Sequence, residues 1–158
     1  MNQNSVQILL QSLEKKNQIL DQLINHNEQQ EKLLKNEELN MDRLDQMLDV
    51  QGRLVAELER LDEGFETVYD RTREEIIGNK EKYRTEIKRM QECIQQITAK
   101  IATINAGNMR NKVLMETQFK KQKQEIGKNV SIQKVARNYY NSMNNLNHVS
   151  PQFYDSKQ

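Results

Sequence analysis

Apolar residues recur along this chain at steps of three and four, the spacing that places side chains on one face of an α-helix. The clearest run is an unbroken heptad seam formed by Tyr83, Ile87, Met90, Ile94, Ile97, Ile101 and Ile104. At about 1.5 Å per residue, this seam extends for roughly 30 Å. We therefore expect a long helix over 80–125, with weaker periodicity beyond Ala106.

An earlier segment, over 5–35, shows the same helical period. Its stripe consists of Val6, Leu9, Leu10, Leu13, Leu20, Leu23, Ile24, Leu33 and Leu34. Asn17, Asn27 and Glu31 interrupt the stripe, and polar interruptions of this kind weaken a helical seam while helping to fix its register. The segment predicts a first helix with a narrow apolar face.

The second predicted helix covers 41–77. Its apolar face is formed by Met41, Leu44, Leu48, Leu54, Val55, Leu58, Leu61, Phe65, Val68 and Tyr69. The Asn and acidic residues of 36–40 are suited to capping its start. Gly78-Asn79 predicts its end, because Gly commonly closes a helix in the left-handed conformation. An earlier end near Asp70 remains open.

Beyond Gly127 the chain is rich in Asn, Ser and Tyr. Helical spacing of Ile132, Val135, Tyr139 and Met143 predicts a short amphipathic helix over 132–145, too short to be stable alone in water. The predicted fold is thus all-α: an elongated antiparallel three-helix bundle of coiled-coil-like character over 1–127. A partly ordered C-terminal amphipathic tail over 128–158 completes it.

Composition agrees with a slender bundle. The 158 residues include no Trp, three Phe, one Pro and five Gly, too few turn residues for an all-β domain. The net charge of +1 conceals an uneven distribution. Residues 41–70 carry nine acids and three bases, whereas 71–127 carry thirteen bases and seven acids. We expect these two segments to lie side by side.

Candidate chemistry is sparse. The single Cys93 lies far in sequence from His26 and His148, so no nucleophile–base pair or cysteine metal site is indicated. Asp42, Asp45 and Asp49 have helical spacing, but a solvated helix face explains them better than an ion site. We expect a protein without catalytic activity, cofactor or metal. No apolar run predicts a membrane span and no secretory signal is evident, so a cytoplasmic location is expected.

A few residues also suit nucleic-acid binding. Lys120, Lys121 and Lys123 form a basic cluster, and Tyr139-Tyr140 are suited to stacking on bases. The sequence pI is only about 7.8, however, and no recognised nucleic-acid-binding motif is present. We therefore expect no nucleic-acid partner.

The tail has two interpretations. Its apolar face either packs on the bundle or lays Ile132, Val135, Tyr139 and Met143 into a partner's groove. Both hold in turn if the tail covers the surface that a partner uses. Deleting 128–158 should strengthen partner binding if the tail competes with the partner, and abolish it if the tail is the contact.

Two stretches resemble a known family. Residues 52–66 (GRLVAELERLDEGFE) resemble the second helix of FlgN-type flagellar export chaperones from Gram-positive bacteria, and 139–143 (YYNSM) with 151–155 (PQFYD) are similar to their tail. The resemblance implies a cytoplasmic, non-catalytic protein. Its partners would be hook–filament junction proteins or, as for the related FliT-type chaperones, the filament cap protein. The resemblance also leaves room for contacts with the export apparatus.

The candidate partner-binding residues are apolar side chains that we expect the bundle to cover only incompletely. We predict helix-to-helix contacts through the exposed part of the third helix and the tail, at Met109, Val113, Met115, Phe119, Ile132, Val135, Tyr139, Tyr140, Met143, Phe153 and Tyr154. The alternative is a structural coiled-coil adaptor or scaffold with no secretion client, which would oligomerise through the Tyr83–Ile104 seam. The sequence also leaves a homodimer open.

Overall fold

The computed structural model describes the backbone of residues 2–123 and 134–141 and the side chains of 5–121 and 134–141. Three long helices form its body: α1 (Asn2–Leu34), α2 (Met41–Gly78) and α3 (Arg84–Lys123). Residues 134–141 form a short helix, α4. The all-α helical bundle that the periodicity predicted is therefore confirmed over the described residues. The predicted division into a bundle and a tail stays a prediction.

Polar side chains mark the ends of α2. Asn40 precedes the helix in an extended conformation, and its side chain accepts a hydrogen bond from the Arg43 backbone N–H at 3.1 Å. This bond satisfies one of the N–H groups that a helix start leaves without a partner. The helix continues to Gly78, so an end near Asp70 is wrong. The following turn occupies 79–83, which is why α3 begins at Arg84 rather than at 80.

Helix α1 lies at the centre of the bundle and packs against both α2 and α3. It is antiparallel to α2, since Lys16 contacts Asp62 while His26 contacts Met47. It is parallel to α3, because its contacts there advance together along both helices, from Glu14–Arg89 through Asn27–Ile104 to Leu34–Gln118. The chain therefore runs up, down and up again.

This arrangement corrects the charge prediction. The acidic residues of α2 find their basic partners on α1, as in Lys15–Glu57 and Lys16–Asp62. The basic residues of α3 also pair with α1, through Glu14–Arg89, Asp21–Lys100 and Glu31–Arg110. Within residues 5–121, no ion pair joins α2 directly to α3. The prediction that these two segments pair side by side is wrong, because the central helix stands between their charges.

The core has two parts. The first cluster takes most of α1, the middle and end of α2 and the first half of α3, and it includes Leu20, Phe65 and Ile97. The second lies at the other end of the bundle, where Leu34, Leu39, Leu44, Leu48, Met115, Val135 and Tyr139 meet. Apolar side chains from α4 contribute to the second cluster alone. The short helix thus completes one end of the bundle.

A layer of buried polar side chains separates the two clusters. It contains His26, Asn27 and Gln30 of α1, Gln51 of α2, and Asn108 and Asn111 of α3. Asn27 donates to the Ile104 carbonyl at 3.3 Å, and Asn111 donates to the Asn27 carbonyl at 3.0 Å. These bonds join α1 to α3 at one level. Gly107 allows the close approach there, since a Cβ at this position would lie 3.0 Å from the Asn27 amide nitrogen.

Candidate partner-binding surfaces

The heptad seam of α3 is turned inward. Tyr83, Met90, Ile94, Ile97 and Ile104 are buried in the first cluster, and Ile87 and Ile101 pack partly buried against it. The seam is thus occupied within the chain's own core, where α3 packs against α1. A scaffold that oligomerised through this seam would first have to open the bundle.

The opposite side of α3 carries a second apolar series. Met109 and Val113 are 68% and 63% exposed. Ala99, Ala102 and Ala106 precede them at steps of three and four, and all three are exposed. These five residues form one continuous line on the solvent face of the helix, here named the outer stripe. No other described residue of the chain buries it.

Sequence reasoning found only the two large members of the outer stripe. Met109 and Val113 were predicted as contacts, whereas Ala99, Ala102 and Ala106 were missed because alanine adds little to an apolar count. Their spacing continues the line of Met109 and Val113 toward the N-terminus of α3. A search for a second heptad series, displaced from the inward seam, would have revealed them. Alanine matters here because a small side chain allows another helix to approach closely.

Helix α4 borders one side of the outer stripe. Tyr140 is 41% exposed, and its hydroxyl donates a hydrogen bond to Glu116 at 3.2 Å. Glu116 follows Val113 by one turn of α3. Burial and this hydrogen bond both raise the pKa of the Tyr140 hydroxyl, so it stays protonated and remains a donor at neutral pH. Tyr140 therefore sits where a partner on the outer stripe could reach it.

The neighbouring residue of α4 has a different role. Tyr139 is 2% exposed, and its hydroxyl donates to the Asn108 backbone carbonyl at 3.0 Å. Burial raises the pKa of this hydroxyl well above its usual range. Val135, one turn earlier, is 3% exposed. Both side chains lie in the second cluster, which means that they anchor α4 on the bundle.

Polar contacts hold the other side of α4 against α2. Asn138 donates hydrogen bonds to Asp45 at 3.2 Å and to Asp49 at 2.9 Å. Lys134 lies 3.5 Å from the Asp45 carboxylate. The acidic series at the start of α2 is thus partly engaged by α4. Within the described residues, no group of three or more His, Cys, Asp or Glu side chains is placed to hold a metal ion.

The predicted contact residues therefore separate into four groups. Met109, Val113 and Tyr140 are on the surface, and Phe119 packs partly buried against the second cluster. Met115, predicted as exposed, is 1% exposed, and that expectation is wrong. Val135 and Tyr139 of α4 are also buried, because they belong to the same second cluster as Met115. The remaining predicted residues, Ile132, Met143, Phe153 and Tyr154, lie outside the described residues, as do the ends of the predicted 132–145 helix.

The other residues with candidate chemistry, Cys93 and His26, do not belong to the outer stripe. Cys93 is partly buried beside α1, and burial raises the pKa of its thiol, which keeps it in the unreactive protonated form at neutral pH. His26 lies in the polar layer, where its Nε2–H donates to the Met47 carbonyl. No described helix is both long and apolar enough to cross a membrane. The surface features that remain are suited to contact with another macromolecule.

Comparison with known proteins identifies no relative. A scan against protein-family models finds no match for this chain, and searches of curated proteins and of solved structures also find none.

Proposed function

We propose that this chain is a flagellar export chaperone of the FlgN type, which binds a hook–filament junction protein or the filament cap protein through helix-to-helix contacts. The observation that carries the proposal is the outer stripe. Its five apolar residues line one face of α3, and Met109 and Val113 are the most exposed large apolar side chains among the described residues. Exposed apolar patches of this kind mark sites where proteins bind one another. The sequence resemblance at 52–66 and in the tail supports the particular class.

The proposed mechanism is coverage of an amphipathic client segment. The client would place its own apolar stripe along α3, so that both stripes leave water together. Fully burying a Met or Val side chain contributes about 1.5–3 kcal/mol, before the losses of freedom on association are subtracted. A stripe with two large residues and three alanines is therefore suited to binding that is reversible, as a carrier requires. The client is kept from assembling too early because its own helix face is occupied.

The proposal assigns a binding role in the cytoplasm and no catalytic role. Its most direct test is coexpression with candidate junction and cap proteins, followed by size-exclusion chromatography. We expect a stoichiometric complex that is lost when Met109→Glu and Val113→Glu are combined. The matched control combines Val50→Glu and Ile77→Glu, two exposed apolar residues of α2, at 41% and 52%. Failure of every candidate client to form a complex, or a complex that persists in the Met109→Glu/Val113→Glu variant, would contradict the proposal.

The role of the tail needs a separate experiment. Deletion of 128–158 removes α4, and with it Tyr140 beside the outer stripe and the cover over the second cluster. Stronger client binding by the truncated chain would show that the tail competes, and loss of binding would show that it is part of the contact. Circular dichroism of the truncated chain should accompany the measurement, because Val135 and Tyr139 also belong to the core.

A further inference from the structure

The outer stripe lies in a basic surface. Lys88 precedes Ala99 by three turns on the same face of α3, and Lys120 follows Val113 by two turns. Arg110 and Lys121 lie along one edge of the line, and all four bases are exposed. Within the described residues, Lys88, Lys120 and Lys121 form no ion pair. Their charge is therefore available to another molecule.

Acidic groups near the stripe are fewer, and one is engaged. Glu116 accepts the Tyr140 hydrogen bond, and Glu92 is the other acid close to the line. The Arg110 guanidinium forms an ion pair with the Glu31 carboxylate of α1 at 3.6 Å, but 60% of the Arg110 side chain is exposed. Arg137 of α4 is exposed and lies one turn before Tyr140, which adds a base on that side. The surroundings of the stripe are thus positive on balance.

This charge pattern decides between occupants. Two copies of the chain that met through the outer stripe would bring the bases of one α3 against those of the other, and like charges across an interface oppose association. A nucleic acid would use the bases but would leave the five apolar side chains without apolar partners. A helix that carries an apolar stripe flanked by acids satisfies both features. The alanines admit its backbone closely, and the surrounding bases meet its carboxylates.

We propose that the outer stripe binds an amphipathic helix of another protein whose apolar positions are flanked by Asp and Glu. The inference rests on the proposed function in taking the outer stripe as the client site, and it adds the chemistry of the client helix. Opposite charge around an apolar contact mainly sets specificity and the rate of encounter. The bases around the stripe therefore select among helices that share the same apolar period.

The test uses two synthetic helical peptides of about 24 residues, long enough to cover the stripe. Both carry the same leucine and alanine positions, flanked in one by Glu and in the other by Lys. Fluorescence anisotropy against the full chain should show the acidic peptide binding at least about tenfold more tightly near 0.05 M salt. The difference should shrink near roughly 0.5 M salt, because added ions screen exposed charges. Equal binding, or tighter binding of the basic peptide, would overturn the inference.

Charge-reversal variants locate the effect. Combining Lys88→Glu, Lys120→Glu and Lys121→Glu should invert the peptide preference. Combining Arg53→Glu, Arg71→Glu and Arg73→Glu makes the same change in net charge on exposed bases of α2 and should leave the preference intact. If the α2 variant has the same effect as the α3 variant, the overall charge of the protein is responsible and the inference fails. Circular dichroism of each variant confirms that it is folded.

Three further measurements separate the competing occupants. An acidic peptide with serine at its apolar positions should lose binding, whereas retained binding would reduce the interaction to charge alone and overturn the inference. A single-stranded RNA of about 20 nucleotides that bound more tightly than the acidic peptide would assign the surface to nucleic acid instead. Self-association of the chain that disappears in the Met109→Glu/Val113→Glu variant would assign it to a second copy.

Failure of the inference is distinguishable from failure of the proposed function. A flagellar client complex that requires Met109 and Val113, together with equal binding of the two peptides, leaves the chaperone role standing and removes the acidic-helix inference. Preferential binding of the acidic peptide without any flagellar client complex would support the acidic-helix inference and remove the chaperone role. The surface would then receive an acidic helix from a different kind of protein.

Discussion

Gln30 of α1 donates a hydrogen bond to the Gln51 side chain of α2, and each residue is 1% exposed. The bond lies between the two apolar clusters, where every neighbouring helix also contributes polar groups. A buried amide without a partner destabilises a protein by about 1–3 kcal/mol. Any slip of α1 along α2 would separate the two amides, so this pair favours one register of the bundle.

Substitution of one member of that pair should be worse than substitution of both. We expect Gln51→Leu to lower the free energy of unfolding by about 1–3 kcal/mol, because the Gln30 amide loses its partner inside the bundle. Adding Gln30→Leu should recover most of the loss by joining the two apolar clusters. Urea denaturation of the two variants and the parent measures this. A double variant less stable than Gln51→Leu alone would contradict the explanation.

A partly buried charged pair should show the same pattern, in which loss of one partner is worse than loss of both. Lys16 Nζ lies 2.7 Å from Asp62 Oδ1, with side chains 3% and 20% exposed. Burial raises the pKa of Asp62, against the opposing effect of Lys16. We expect Asp62→Asn to lower the free energy of unfolding by about 2 kcal/mol, since a buried ammonium loses this carboxylate. Adding Lys16→Met should restore stability, and thermal unfolding that shows no such recovery would count against the prediction.

The stability of the bundle should depend on His26 below neutral pH. Burial lowers the pKa of His26 from its ordinary value of 6.5. Below that pH the unfolded chain takes up a proton that the folded chain resists, so the free energy of unfolding falls as the pH decreases. Above it, the contribution of the neutral imidazole is fully present. Comparing His26→Gln with the parent from about pH 7.5 to pH 5 isolates this effect, since only the parent should show it.

An NMR titration provides an independent check of the same prediction. The His26 imidazole should titrate with a midpoint below 6.5 in the folded protein. A midpoint at or above that value would contradict the assigned effect of burial.

Two glycines of the long helices should respond oppositely to alanine. A Cβ at Gly64 meets nothing within 4 Å, so Gly64→Ala should raise the free energy of unfolding by about 0.5–1 kcal/mol through helix propensity and reduced freedom of the unfolded chain. Gly107→Ala places its Cβ 3.0 Å from the Asn27 amide, which is bonded to Ile104. We therefore expect Gly107→Ala not to show the increase in the free energy of unfolding that is expected for Gly64→Ala. Thermal denaturation of the two variants distinguishes the sites, and an equal gain at both would refute the packing argument.

The helices were predictable because their signals are local. The seam from Tyr83 to Ile104 and the capping Asn40 each identify a feature that depends on a few neighbouring residues. The central position of α1 was not predictable in this way. Charge composition favoured α2 beside α3, but residues such as Lys16 and Asp21 place the complementary charges on α1 instead. Which helix lies between the others depends on three-dimensional packing that no single periodic pattern encodes.

The candidate surface was only partly predictable for a related reason. Met109 and Val113 stand out in a sequence, whereas an exposed alanine such as Ala102 looks the same as a helix-forming surface residue. Met115 was misassigned because it is buried in the second cluster, whose other members come from distant parts of the chain such as Leu34 and Leu48. The sequence gives no sign that polar residues such as Asn111 are buried, because the hydrogen bonds to backbone carbonyls that allow them to lie inside come from another helix.

The central place of α1 has a consequence for synthesis. Helix α1 leaves the ribosome before α2 and α3, and α2 can cover one side of it as soon as the nascent hairpin forms. The side of α1 that faces α3 stays exposed to water until α3 leaves the ribosome, because the partners of α1 lie as far along the chain as Gln118. During that interval, the growing polypeptide exposes leucines that later lie in the core. Slower translation between the second and third helices would lengthen the period in which the nascent chain can aggregate.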